Sequence, residues 1–345
     1  MANRPYSTSL MLLTSANIII KFEYTMANKV LIIGNGFDLD LGLKSRYSDF
    51  MGSQVWQKIK NGHINILCSP LIKHLEDKYQ LNTWFDVENE LLNYALEITE
   101  GTYADVNPDD QQGYELFKYA LKKYLDLEQK NFDAKNKSIA KDVIEIINQN
   151  GFFQKVYTFN YTSLNTVLSR FCICFPNKIV YMHGSLRVHD NIVLGVETDK
   201  TIRPEYTYLI KTNSRYYQSN SLIEDMEYAD EIVFFGHSIN GMDFPYFKDF
   251  FLKQSSSSVD FKKKHITIFT YDDDSDRQIR DNFRAAGINP RDLMQRNKVI
   301  FIQTSRMVKG DKFEQERYKE FTDHLREDSK SREDNTIRSL ENDML

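Results

Sequence analysis

Residues 29–43 read KVLIIGNGFDLDLGL. An apolar run, Lys29–Ile33, enters directly into Gly34-Asn35-Gly36, which is the pattern of a buried strand turning sharply toward a helix. The dinucleotide fingerprint G-x-G-x-x-G would need its third glycine at position 39, where the chain has Leu39, and the next glycine is Gly42. The dehydrogenase form of the motif is therefore excluded.

Similar runs, largely apolar on both faces, recur at residues 155–159, 178–182, 231–235, 265–270 and 298–302. Strands buried on both sides are what a parallel sheet covered by helices requires. Helix-length segments separate most of them, at 163–171, 220–229, 244–253 and 275–286. The alternation predicts an α/β, Rossmann-like fold: a mainly parallel sheet with flanking helices. One connection departs from this. Residues 47–150 hold amphipathic helical text such as VENELLNYALEI and YELFKYALKKYLDLEQKNF, joined by the turn-rich EGTYADVNPDDQQG. That stretch is a large helical insertion after the first strand.

Three regions follow. Residues 1–25 form an N-terminal extension, since Met26-Ala-Asn-Lys leads straight into the first strand. Residues 26–325 form the α/β domain with its 47–150 insertion. Residues 326–345 are a charged C-terminal tail, expected to be solvated or disordered. The 345 residues, 41% hydrophobic and 13% aromatic, suffice for a substantial core. Lys and Arg number 44 against 49 Asp and Glu, a net charge of −5, so no global positive field favours nucleic acid as a partner. Cys68, Cys172 and Cys174 lack C-x-x-C spacing, which argues against a disulfide framework or a structural zinc and for a reducing cytoplasm. The stretch LMLLTSANIII, residues 10–20, is too short and too polar to span a membrane.

Ligands of open α/β sheets bind at the carboxyl ends of the strands, so the residues following each run are the candidates. After the first strand come Gly34, Asn35, Gly36 and Asp38. Asn160, Tyr161 and Thr162 follow the second, His183, Gly184 and Ser185 the third, and Gly236, His237, Ser238 and then Asp243 the fourth. Each has an ordinary reading: tight turns for the glycines, a turn for Asn160, a helix N-cap for Asp243 ahead of Phe244-Pro245. Four polar groups at four successive strand ends are less easily accidental.

The chain resembles the AbiH family, associated with abortive infection by bacteriophage. The resemblance rests on LIIGNGFDLDLGLKSRYSDF, WFDVE (84–88), FNYT (159–162), MHGS (182–185) and FFGHSINGMD (234–243). More remotely, the strand-end set is similar to the sirtuin NAD site. Sirtuins space a further glycine after G-x-G as Gly34, Gly36 and Gly42 do, and carry Thr-x-Asn, His-Gly and Gly-x-Ser where this chain has Thr158-Phe159-Asn160, His183-Gly184 and Gly236-His237-Ser238. That resemblance implies NAD or a related nucleotide as ligand, held by Gly34, Asn35, Gly36, Asp38, Gly42, Thr158, Gly184, Gly236, His237, Ser238 and Asp243. It departs in two places: the Asp-Phe pair, Asp49-Phe50, comes four residues late, and the four-cysteine zinc module is missing.

Cleaving the nicotinamide–ribose bond passes through an oxocarbenium-like ribose. It needs backbone N–H groups for the pyrophosphate, an amide to orient ribose or water, and a base. The Gly34–Gly36 loop, Asn160 and His183 are the candidates, histidine being suited because its ordinary pKa of about 6.5 lies near working pH. Gly184 is expected to leave space beside His183. The leading expectation is an antiphage effector that binds and hydrolyses NAD, with no metal cofactor. A second is a sensor of NAD, ADP-ribose or a nucleotide signal that does not turn it over. The phage trigger is not encoded in these motifs, and a homo-oligomer remains open. Asp38 and Asp40 either reach a ribose hydroxyl or cap the next turn. Asp86 and Glu88 either project over the site or, with Thr83, form a capping box. Asp272–Asp274 is read as a helix start, Lys262–Lys264 as a solvated loop, and a metal pair of His183 with His189 has no third ligand.

Overall fold

The computed structural model describes residues 29–81, 85–101, 106–135, 137–150, 153, 155–175, 178–187, 191–256 and 262–343. The expected extension at 1–25, the Met26 start, Thr83, Trp84 and His189 lie outside them. The strands are β1 (Lys29–Ile33), β2 (Lys155–Thr158), β3 (Lys178–Tyr181), β4 (Glu231–Phe235), β5 (His265–Thr270) and β6 (Lys298–Gln303). They form one sheet in the order β3-β2-β1-β4-β5-β6, every pair parallel. The α/β fold read from the apolar runs is the fold observed.

Strand alternation divides the core. Leu31 and Ile33 of β1 join Val156, Val233, Phe235 and Phe269 on one face, while Val30 and Ile32 join Tyr157, Phe234, Ile266 and Ile268 on the other. Helix α1 (Asn35–Leu41) follows β1. The insertion contributes α2 (Tyr47–Met51), α3 (Gln54–Gly62), α4 (Ile64–Cys68), α5 (Pro70–Leu81), α6 (Val87–Thr99), α7 (Asp109–Asn131) and α8 (Ile139–Asn150). Around the rest of the sheet lie α9 (Leu164–Ser169), α10 (Leu222–Tyr228), α11 (Pro245–Ser255), α12 (Asp273–Ala285), α13 (Pro290–Arg296), α14 (Thr304–Val308) and α15 (Lys312–Asp343).

Helix α6 shows why the insertion folds as it does. Asp86 accepts from the N–H groups of Glu88 and Asn89, fixing the helix start, and Val87, Leu91, Tyr94, Ala95 and Ile98 recur at helical spacing on the buried face. They enter a core of the insertion's own, with Phe50, Trp56 and Phe117, closed on one side by Ile192, Leu194 and Val196 from the connection between β3 and β4. No described helix is long and apolar enough to cross a membrane.

Residues 326–343 of the charged text expected to be solvated or disordered continue α15 as helix, with Arg326, Glu327 and Lys330 exposed. One expectation is corrected, for a single lysine. Lys264 is not in a solvated loop; it is buried and donates to the carbonyls of Glu227 and Ala229.

The chain reverses direction across the sheet between β1 and β4, and there the two following loops touch. Gly34 N–H donates to Phe235 O at 3.0 Å and Gly36 N–H to Gly236 O at 2.8 Å. A Cβ at position 36 would lie 2.6 Å from the Gly236 Cα. These glycines, expected to bare backbone for a ligand, here let two backbones meet. Gly42, at φ 114°, is the left-handed C-cap of α1, at the far end of that helix from the glycine loop. Gly184 opens no space either, since a Cβ there would meet the Asn191 carbonyl at 1.9 Å.

Gly36→Ala is therefore expected to lower stability by about 1–3 kcal/mol through overpacking against backbone. Gly62→Ala, with nothing within 4 Å of its Cβ, should be neutral or gain up to about 1 kcal/mol. Urea unfolding of the two variants measures the contrast, and an unaffected Gly36→Ala protein contradicts the close packing.

Candidate functional site

The carboxyl ends of β1, β2, β3 and β4 converge on one cluster of buried polar side chains. At the β1–β2 junction, Asn160 donates its amide to Gly34 O at 3.1 Å, and its own N–H bonds Thr158 Oγ1 at 3.2 Å. Thr162 donates to the Asp38 carboxylate at 2.6 Å. Burial pushes the Asp38 carboxyl up to about 6, against the opposing hydrogen bonds from Thr162 and Asn160. Asn160 and Asp38 thus lash the first two strand ends together.

His183 follows β3 with only 3% exposure. Its Nε2 lies 2.8 Å from Oδ1 of Asp243, which stands in the 3-10 turn Gly241–Asp243 beyond β4. Burial disfavours the Asp243 carboxylate, but His183 and then Lys211 outweigh it and hold the group well below the usual carboxylate range. An ionised carboxylate only accepts, so the His183 Nε2 carries a proton toward Asp243. Nδ1 is buried and has no partner among the described residues.

Lys211, wholly buried, reaches the same place from the β3–β4 connection. Its Nζ is 2.9 Å from Glu88 Oε2, 3.4 Å from His183 Nε2 and 3.9 Å from Asp243 Oδ1. Although burial works against its charge, Glu88 and Asp243 raise its pKa above the ordinary lysine value. Glu88, near the start of α6, has its carboxyl raised by burial despite Lys211 and His183. Its other oxygen accepts from Tyr161 OH at 3.2 Å, and Tyr161 OH is 3.5 Å from Tyr47 OH. His237 closes the far side. Its Nδ1 accepts from Ile239 N–H at 2.9 Å, its Nε2 is 3.8 Å from Asp243 Oδ2, and burial drives the imidazole down to about 4. Ile239 is buried at φ 47°, a left-handed conformation a β-branched residue rarely adopts, so this loop carries strain beside the cluster. Phe159 packs edge-on against both imidazoles.

The model for bacteriophage abortive infection AbiH matches residues 30–264, from β1 to the edge of β5. The chain belongs to the AbiH family. The matched span contains every residue of the cluster, and the family indicates a role in abortive infection. No curated protein matches the sequence.

Not every strand-end candidate of this AbiH protein enters the cluster. His183, Asp243 and His237 do, with Asn160, Thr158 and Asp38 bracing the adjoining strand ends. The N-cap reading of Asp243 gives way: α11 begins after Phe244 without a side-chain cap, and the carboxylate turns to His183 instead. Asn35 is exposed and bonded to Ser45, Ser238 is exposed, and Asp40 caps α8 through Ala140 N. Lys211 was not foreseen as a site residue, because a lone lysine outside a motif carries no local signal; Tyr47 and Tyr161 lie inside the motifs LIIGNGFDLDLGLKSRYSDF and FNYT but were assigned no role, since a tyrosine names no chemistry until its partner is known. Glu88 reaches the cluster while Asp86 performs the capping. Among the described residues no group of three or more His, Cys, Asp or Glu is placed to hold a metal ion.

The Asp38 carboxyl, raised from 3.8 to about 6, costs the fold about 3 kcal/mol while ionised, a penalty present above pH 6 and relieved as pH falls toward 3.8. Asp38→Asn should therefore stabilise the protein at pH 7.5 by up to that amount, with the gain vanishing near pH 4. Urea unfolding at the two pH values tests it; an equal effect at both would rule out the buried charge as the cause.

Proposed function

We propose that this AbiH protein is an abortive-infection hydrolase that cleaves NAD at the nicotinamide–ribose bond, depleting the cytoplasmic pool when phage infection activates it. The observation that carries the proposal is the buried His183–Asp243 hydrogen bond of 2.8 Å beside the point where the strand order reverses, the place where open α/β sheets receive nucleotides.

The cluster's chemistry supports this substrate over an ordinary glycoside. Common glycosidases need two carboxyl groups, one protonating the leaving oxygen. Here Glu88 is engaged by Lys211 and Asp243 is held ionised, which leaves one base, His183. NAD needs no acid. Its pyridinium nitrogen takes the bonding pair and leaves as neutral nicotinamide, water adds to the ribose carbon, and the water's proton passes to His183 Nδ1, giving ADP-ribose. Asp243 then faces the imidazolium through Nε2 and stabilises it. Asn160 supports the site by holding the Gly34 loop against the second strand end.

One observation favours the second reading, a sensor without turnover. The N–H groups of Gly34 and Gly36 are already bonded to Phe235 and Gly236, so pyrophosphate binding through them would require the two loops to part. Nucleotide binding could then act as the signal itself.

Purified protein incubated with NAD should release nicotinamide and ADP-ribose in equal amounts. His183→Ala is expected to lower that rate by about 10²–10⁴, and Asp243→Asn to lower it as well. Ser163→Ala, which removes the N-cap of α9, should keep the rate while losing about 1 kcal/mol of stability. NAD left intact by protein that still protects cells from phage overturns the hydrolase, and retained NAD binding in that case identifies the sensor.

A further inference from the structure

Lys211 and Glu88 come from the β3–β4 connection and the helical insertion, yet they meet against His183. An ammonium group has only protons to give, and the His183 Nε2 already directs its proton to Asp243. The 3.4 Å contact between Lys211 and His183 is therefore one of charge. A positive charge at that distance opposes a second proton on the imidazole.

The opposing charges are close. Asp243 lies at 2.8 Å, Glu88 stands on the other side of Lys211, and Asp86, half-buried at the start of α6, bears on both Asp243 and Lys211. Glu197 adds to the negative field around Lys211. Burial keeps His237 neutral, and Tyr47 and Tyr161, raised far above the ordinary tyrosine range by burial first, stay neutral too. Without the lysine, the carboxylates would act on His183 unopposed and favour the imidazolium. Its Nδ1 would then hold a proton and could take none from water.

We infer that Lys211 is a positioning residue that keeps His183 neutral with Nδ1 as its basic atom, and that Glu88 is the anchor holding Lys211 there. The inference rests on the proposed role of His183 as base. It assigns the insertion a part in the chemistry, through a carboxylate that never touches the reacting atoms.

The test is nitrogen-15 NMR of histidine-labelled protein across pH, on the wild type, Glu88→Gln and Glu88→Gln/Lys211→Met. The double variant leaves neither member of the buried pair as an unpaired charge, which protects the fold. In the wild type at pH 7, His183 should be neutral with its proton on Nε2. Glu88→Gln, removing a carboxylate and keeping the lysine, should move its titration to lower pH. Adding Lys211→Met should move it upward past the wild type by about one pH unit or more, and the acid limb of NAD cleavage should follow, with activity lost at neutral pH and regained at higher pH. A wild-type proton on Nδ1, or a double variant whose His183 titrates at or below the wild-type pH, overturns the inference. If the titrations move as stated while NAD stays intact, the charge balance stands and the hydrolase falls.

Discussion

The 2.8 Å hydrogen bond from Gly36 to Gly236 is the constraint from which the carboxyl edge of the sheet is built. It joins the loops after β1 and β4, where the strand order reverses, and it forms only because neither residue carries a Cβ. With that contact made, the chain beyond Gly236 must turn through His237 and the strained Ile239 before Asp243 reaches His183. At the opposite end of the same two strands, the buried pair of Lys29 and Glu231 at 3.1 Å ties them again. The central strands are thus fixed at both ends, and the polar cluster sits at the end with the closer backbone contact.

The cluster is costly to bury. Two carboxylates, an ammonium and two imidazoles lose most of their contact with water, and such groups persist only when each is paired. Here the pairing runs from Tyr47 through Tyr161 and Glu88 to Lys211, and Lys211 and His183 both face Asp243. Three parts of the chain supply it: the sheet ends, the insertion, and the β3–β4 connection. The insertion is consequently more than a cover with its own core around Trp56 and Phe117, since it brings the acid that compensates the buried lysine.

How far the site could be read in the sequence depended on the range of the interactions involved. His183, His237 and Asp243 were legible because strand ends are predictable once the apolar runs are recognised. The glycines were noticed, but the pattern that signals backbone approach does not say what approaches; for Gly36 it is Gly236, and for Gly184 it is the Asn191 carbonyl. Gly42 matched a spacing seen in sirtuins, yet a glycine after a short helix is equally the local requirement of a left-handed C-cap. Lys211 left no trace, because its partner Glu88 lies 123 residues away.

By itself, the sequence determined the strands β1, β4 and β5 to the residue, the helical character of residues 47–150 and the α/β class, since apolar periodicity and capping act over a few neighbouring residues. It also carried the AbiH motifs. Only the tertiary structure decided which strand ends stand side by side, that Asp243 faces His183 rather than capping α11, and that Lys211 and Glu88 complete the cluster. Those outcomes follow from which distant groups share a buried space, where an unpaired charge is too costly to remain, and local text does not encode that choice.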